Sequence, residues 1–218
     1  MEITWYGHSC FRLAERSMAT VVTDPYDSHC VGYEPLKLKA DIVTISYNSP
    51  EHNYLTAVNG DPYSITGPGE FEIGGVFITG VQTNGQAKHT EGELRNTLYV
   101  IEYNGMTVAH LGNLNRVPSQ TEVEELGPLN VALVPVGGIN SLNAAKAAEV
   151  ISLLEPNIVI PMQYSTSESE STLKLDPLSK FLKEMGLAEV EKVQSLKITS
   201  AGSLPEETRV IVLDYQHS

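Results

Sequence analysis

Residues 131–162 read VALVPVGGINSLNAAKAAEVISLLEPNIVIPM, and this stretch decides the fold class. Val131 to Val136 is a short apolar run closed by Gly137-Gly138, which predicts a strand ending in a tight turn. From Ser141 to Leu154 the apolar residues Leu142, Ala145, Ala148 or Val150, Ile151 and Leu154 recur at near-helical spacing. Ser141 is the expected N-cap, and Pro156 prevents continuation. Ile158 to Met162 is a second short apolar run. The stretch therefore predicts a β-α-β unit.

Outward from this unit the pattern divides. Toward the N-terminus, short β-type runs dominate: Ile3 to Tyr6, Ala19 to Thr23, Asp41 to Ser46, Tyr63 to Thr66, Gly75 to Val81, Asn96 to Tyr103 and Met106 to Leu111. Asn104-Gly105 favours the twisted turn of a tight hairpin over 96–111. Gly67-Pro68-Gly69 and Gly74-Gly75 bracket the alternating Glu70-Phe71-Glu72-Ile73, a second antiparallel region. Helices are expected over Ser119 to Leu126, stopped by Gly127-Pro128, and after Asp176-Pro177, with Asp176 as cap and Pro177 as first helical residue. There Leu178, Phe181, Leu182 and Met185 share one face up to Gly186. Val190 to Thr199 and Thr208 to Asp214 suggest a closing hairpin, and Ser165 to Thr172 a Ser/Glu-rich loop in solvent. With no convincing linker, residues 1–218 are read as one α/β domain with two sheets.

The 218 residues carry 27 Asp and Glu against 14 Lys and Arg, a formal charge of −13. Such an acidic surface repels phosphate backbones and has no basic run to offset it, so nucleic acid is excluded as a general partner. The acidic Glu122, Glu124 and Glu125 are assigned to a solvated helix face. With 41% hydrophobic residues the chain can build a full core. No apolar run approaches the roughly 18 residues that a membrane span needs, and the opening Met1-Glu2-Ile3 lacks a basic signal region. Cys10 and Cys30 are too few for a disulfide framework. These features predict a cytoplasmic protein with free thiols.

Four groups of residues, in order, carry a family resemblance: Trp5-Tyr6-Gly7-His8-Ser9-Cys10-Phe11; Thr23-Asp24-Pro25; Asp41 to Asn53; and His110-Leu111-Gly112-Asn113 followed by Val134 to Gly138 and Ile160 to Tyr164. The chain resembles the metallo-β-lactamase-fold hydrolases, in the branch of L-ascorbate-6-phosphate lactonases and related zinc-dependent hydrolases. The resemblance implies a four-layer αβ/βα sandwich of two mixed β-sheets flanked by helices, with a site at one edge between the sheets. In that family two divalent metals activate a shared water for attack on an ester, lactone or phosphodiester. Their ligands come from a His-x-His-x-Asp-His loop, a further His, an Asp in a Gly-Asp turn and a last His.

Against that pattern the loop here reads Tyr47-Asn48-Ser49-Pro50-Glu51-His52. Tyr47 and Ser49 stand where the family has histidines, Glu51 where it has Asp, and His52 matches. Asn113 takes the place of the Asp in the turn, and Gln163 that of the last His. His8 and Asp24 match positions at the mouth of the site or behind it, while His110 precedes the altered turn. Such a set should hold no dinuclear centre; if a metal binds, zinc or manganese on Glu51, His52 and His89 is the candidate arrangement. Tyr47 is expected to fill space vacated by metal, with Ser49, Asn113 and Gln163 hydrogen-bonding one another.

The resulting expectation is a metal-free pseudo-hydrolase that keeps a small-molecule pocket or an assembly role. The alternative is an active hydrolase of a small ester, lactone or phosphoester using one weakly bound metal. A metal-free hydrolase with Ser49 as nucleophile and His52 as base lacks the Gly-x-Ser-x-Gly signature and an identifiable oxyanion hole. No membrane or nucleic-acid partner is expected; the resemblance implies a homo-oligomer.

Overall fold

The computed structural model of the chain describes residues 1–83, 95–169 and 171–218. Among them one sheet runs in the order Ser195–Lys197, Glu2–Trp5, Phe11–Ala14, Val21–Thr23, Ile42–Thr44, Tyr63–Ile65. A second runs Glu191–Val193, Arg209–Leu213, Ile158–Met162, Val131–Pro135, Met106–His110, Thr97–Tyr103, Val76–Gln82, Gly69–Ile73, and a small third pairs Leu38–Lys39 with Val58–Asn59. The two large sheets mix parallel and antiparallel pairs. The helices are α1 (Ser28–Val31), α2 (Gln120–Leu126), α3 (Ala144–Leu154) and α4 (Leu178–Glu184). The architecture is the expected αβ/βα sandwich.

Strand alternation explains how the two sheets lock. On Thr97–Tyr103 the side chains of Tyr99 and Tyr103 are buried, and both hydroxyls donate to backbone carbonyls of the first sheet or its flanks. Tyr103 reaches the Ala19 oxygen at 2.7 Å, and Tyr99 the Ile45 oxygen at 3.1 Å. A buried phenol must donate or lose the free energy of a hydrogen bond, so each ring fixes the spacing of the sheets as well as filling the core.

The β-α-β reading holds: Val131–Pro135 and Ile158–Met162 pair in parallel across α3. So does the 96–111 hairpin, where Asn104 and Gly105 both take positive φ (50° and 76°), the geometry of the twisted two-residue turn. Several other expectations are corrected.

The cap of α3 is Asn143, whose side chain accepts from the Lys146 amide at 3.0 Å; the Ser141 hydroxyl instead donates to the Gly138 carbonyl within the preceding turn. Pro177, not Asp176, occupies the N-cap position of α4, and the Asp176 carboxylate pairs with Lys180 one turn on. The closing hairpin does not form. Glu191–Val193 pairs in parallel with Arg209–Leu213 in the second sheet, while Ser195–Lys197 crosses to pair antiparallel with Glu2–Thr4 in the first.

Glu122 is buried rather than solvated. It completes a capping box with Ser119 and takes a two-pronged ion pair from Arg116. Within the Ser/Glu-rich loop Ser169 is fully buried, its hydroxyl accepting from the Thr166 amide. Cys10 is buried and Cys30 partly so, both as free thiols. No helix among the described residues is long and apolar enough to cross a membrane.

At Gly137 the loop after Val131–Pro135 passes against the end of Ile158–Met162. A Cβ there would overlap the Gln163 carbonyl oxygen, a backbone atom that cannot swing away. We predict that Gly137→Ala lowers stability by about 1–3 kcal/mol through forced backbone displacement. Gly202→Ala, where a Cβ meets open space, should stay within about 0.5 kcal/mol of the parent. Urea unfolding midpoints of the two variants check this.

Candidate functional site

Asp24 ends the strand Val21–Thr23 and is fully buried, with a left-handed backbone (φ 39°). A buried carboxylate needs donors, and the neighbouring strand end supplies them. The Ser46 amide donates to Oδ1 at 2.7 Å and the Ser46 hydroxyl to Oδ2. His52 Nδ1 lies 2.8 Å from the same Oδ2. Burial pushes the carboxyl pKa up, but the imidazoles of His110 and His52 and the hydrogen bonds from His52 and Ser46 outweigh it and hold it below the usual carboxylate range.

His52 is brought to Asp24 by the loop after Ile42–Thr44. The loop closes on itself where the amides of His52 and Asn53 both donate to the Ser49 carbonyl, at 2.8 and 2.9 Å. It is tied to the segment after Asp24 at two points: the Asp27 amide donates to the Pro50 carbonyl and the Tyr54 amide to the Pro25 carbonyl. With an ionised Asp24 as acceptor, His52 carries its proton on Nδ1. Its Nε2 is then a lone pair with no hydrogen-bond partner among the described residues.

Two other imidazoles pack around this pair. His110 is fully buried, and its Nε2 donates to the Ser9 carbonyl at 2.9 Å, leaving Nδ1 buried and unpartnered. His8 sits at φ 48° in the turn between Glu2–Trp5 and Phe11–Ala14, where Trp5 Nε1 donates to its carbonyl at 3.0 Å. Its ring meets that of His52 edge-on with centroids 5.1 Å apart, and its Nδ1 is buried without a partner. Burial, with His52 beside it, holds the His8 pKa well below the ordinary histidine value; burial also lowers that of His110. Both rings are neutral in the fold.

Above this cluster lies a cleft of about 260 Å³ lined by His8, Tyr47, Ser49, Glu51, His52, Asn113 and Gln163 on the side anticipated from sequence. Asp24 does not line it; the carboxylate acts from behind, through His52. His89 lies outside the described residues. The opposite wall went unrecognised: Gly138, Ile139, Asn140, Ser141, Leu173 and Leu175. Val136-Gly137-Gly138 had signalled only a tight turn, and nothing in the spacing connects it with Leu173 or Leu175.

The anticipated hydrogen bonding among Ser49, Asn113 and Gln163 is corrected. Gln163 (φ 54°) donates through Nε2 to the Gly112 carbonyl at 3.1 Å. The Asn113 amide donates to Asn96 Oδ1 at 2.7 Å, and Asn96 Nδ2 donates to the Leu111 carbonyl. Asn96 thus shapes the Gly112-Asn113 turn. Tyr47 is only half-buried, its ring 5.7 Å from that of His52, and forms part of the wall rather than a plug.

The donor set can be tested against metal. A zinc pair needs about six or seven nitrogen, sulfur or carboxylate donors in converging geometry. Among the described residues no three His, Cys, Asp or Glu side chains are grouped so as to hold a metal ion. The described cleft residues do not fit a dinuclear zinc centre.

The description "Beta-lactamase superfamily domain" matches residues 2–163. The chain belongs to the metallo-beta-lactamase superfamily. A UPF0173 protein of Pyrococcus furiosus is 29% identical, covering 76% of this chain and 84% of its own length. A UPF0173 metal-dependent hydrolase of Thermococcus onnurineus is 26% identical, with 76% and 85% covered. A crystal structure described as a Zn-dependent hydrolase of the metallo-beta-lactamase superfamily, from Thermotoga maritima, is 35% identical, covers 97% of each chain and superposes with a TM-score of 0.77. Metallo-beta-lactamase superfamily relatives thus cover nearly the whole chain.

The neutral buried imidazoles give the fold a defined acid sensitivity. Below about pH 6.5 an unfolded histidine binds a proton that His8 and His110 in the fold do not; the unfolded state then holds more protons, and stability falls as pH drops. Asp24, with its lowered pKa, loses its contribution only further down, below the ordinary aspartate range. The urea midpoint should therefore fall between pH 7.5 and 5.5. His8→Asn, which tolerates the left-handed backbone, should shrink that difference. An equal or higher midpoint at pH 5.5 would contradict the assignment.

Proposed function

We propose that this chain is a metal-independent member of the superfamily: a pseudo-hydrolase with respect to metal chemistry, whose cleft receives a small molecule where the family holds its metal pair. The observation that carries this reading is that four of the positions the resemblance gives to metal ligands line the cleft as the uncharged Tyr47, Ser49, Asn113 and Gln163. Neutral oxygens and amides give zinc little of the charge it needs, whereas they suit hydrogen bonding to an organic ligand. The free thiols Cys10 and Cys30 support a place in a reducing cytoplasm.

A second reading has one observation in its favour. Glu51 and the unpartnered Nε2 of His52 line the same cleft, so a single zinc or manganese ion could be held weakly for hydrolysis of a small ester, lactone or phosphoester.

Metal analysis separates the two. Protein purified from zinc- and manganese-supplemented medium should carry substoichiometric metal. The five-fold variant Tyr47→His, Ser49→His, Glu51→Asp, Asn113→Asp, Gln163→His should gain tight zinc binding, because it rebuilds the charged donor set on the same backbone. A stoichiometric, chelator-resistant metal in the parent chain would refute the metal-free reading. Light scattering after size exclusion reports whether the chain self-associates, the assembly role that the resemblance implies.

A further inference from the structure

We propose that the cleft retains hydrolytic chemistry of its own, with His52 as a metal-independent general base acting on small uncharged esters or lactones and Asp24 as its positioning residue. This rests on the metal-free reading above. The lone pair that a metal would take is presented to the cleft.

Three features carry the inference. The first is the chain of buried contacts: Ser46 satisfies both oxygens of Asp24, and Asp24 fixes His52 through Nδ1. His52 is 3% exposed and Asp24 0%, so the pair acts where water screens it little. His52 lines the cleft, and its Nε2 is not among the buried unpartnered atoms, unlike His8 Nδ1 and His110 Nδ1; it therefore faces the open volume. An imidazole held in one tautomer by a buried carboxylate, with the other nitrogen open to a ligand, is the arrangement that general-base catalysis requires.

The second feature is the charge of the walls. The cleft residues among those described include no Lys or Arg, and the one carboxylate among them, Glu51, repels anions. Lys146 belongs to an adjoining groove with Asn115, Asn140 and Asn143, and its Nζ donates to the Asn115 carbonyl at 3.3 Å. Phosphoesters and free acids are disfavoured. Uncharged acyl compounds are admitted: Ile139, Leu173 and Leu175 provide an apolar side, and the hydroxyl of Tyr47 and the side-chain carboxamide of Asn113, both lining residues, are the neutral donors a developing oxyanion would use. A volume near 260 Å³ restricts the substrate to a small molecule.

The third feature is backbone strain. His8, Ile139 and Gln163, all lining the cleft, and Asp24 beneath it take positive φ without being glycine. Such conformations persist only where surrounding contacts enforce them, and they collect at binding and catalytic sites.

The reaction needs no partner beyond water. Nε2 of His52 takes a proton as the water oxygen bonds to the acyl carbon, and the carbonyl π electrons move onto the oxygen. As the carbonyl re-forms, the bond to the alkoxide oxygen breaks, and the imidazolium returns its proton to that oxygen. Acid and alcohol leave, or a hydroxy acid in the case of a lactone, and His52 is regenerated. Asp24 stabilises the imidazolium without itself accepting a proton.

The test uses full-length, chelator-treated protein with p-nitrophenyl acetate and δ-valerolactone. Turnover should exceed buffer and be indifferent to chelator. His52→Ala should lower kcat/KM by about 100-fold or more, and with δ-valerolactone free imidazole should restore roughly tenfold after subtraction of the rate that imidazole gives without protein, which a misfolded variant would not allow. Asp24→Asn should lower kcat while leaving KM within about twofold, the mark of a positioning role. No turnover of either probe, or equal turnover by His52→Ala, overturns this inference and leaves the metal-free reading standing. Turnover that disappears with chelator and returns with zinc overturns both.

Discussion

The site depends on an ionised carboxylate placed where water cannot reach it. Isolated in the core, Asp24 would cost several kcal/mol or take up a proton. The fold meets this cost with a fixed set of donors: the amide and hydroxyl of Ser46 and the imidazole of His52. Each donor imposes a position. Ser46 must end its strand beside the end of the Asp24 strand, which the parallel pairing of Val21–Thr23 with Ile42–Thr44 achieves. His52 must fold back six residues later, which the Ser49 turn and the ties to Pro25 and Asp27 achieve. Once these are satisfied, the direction of His52 Nε2 is no longer free.

The same constraint explains why the cleft can be polar without being charged. Acidic residues outnumber basic ones 27 to 14, yet among the described residues Glu51 is the one acidic side chain that lines the cleft. Asp24 contributes from behind and is neutralised in effect by its donors. His8 and His110 are held neutral by burial, so these two imidazoles bring no positive charge to attract an anion. Small uncharged molecules are what such a surface can bind without a desolvation penalty. The formal charge of −13 lies mainly outside the described cleft residues.

Local signals made the individual elements legible. Asn104-Gly105 specifies its turn by backbone preference alone, and the 131–162 unit shows its two strands and helix through periodicity. The residues 190–199 misled because periodicity reports alternation within a segment and carries no record of its partner. Two three-residue strands there serve different sheets. Glu122 was hidden in an acidic run, although Ser119 three residues earlier is a capping-box signal. At the site, the ordered motif located Tyr47, Ser49, Glu51, His52, Asn113 and Gln163 on one cleft. It could not reveal the Ser46–Asp24–His52 bonds, nor the wall from Gly138 to Leu175, since these arise only when distant segments meet.

Nitrogen-15 and proton NMR of the His52 ring tests the central claim most directly. The account predicts a protonated Nδ1 in a strong hydrogen bond, lost in Asp24→Asn, and an unprotonated Nε2 whose resonance does not move on addition of one equivalent of zinc. A proton on Nε2, or an Nε2 resonance that shifts to saturation at one equivalent, would contradict it.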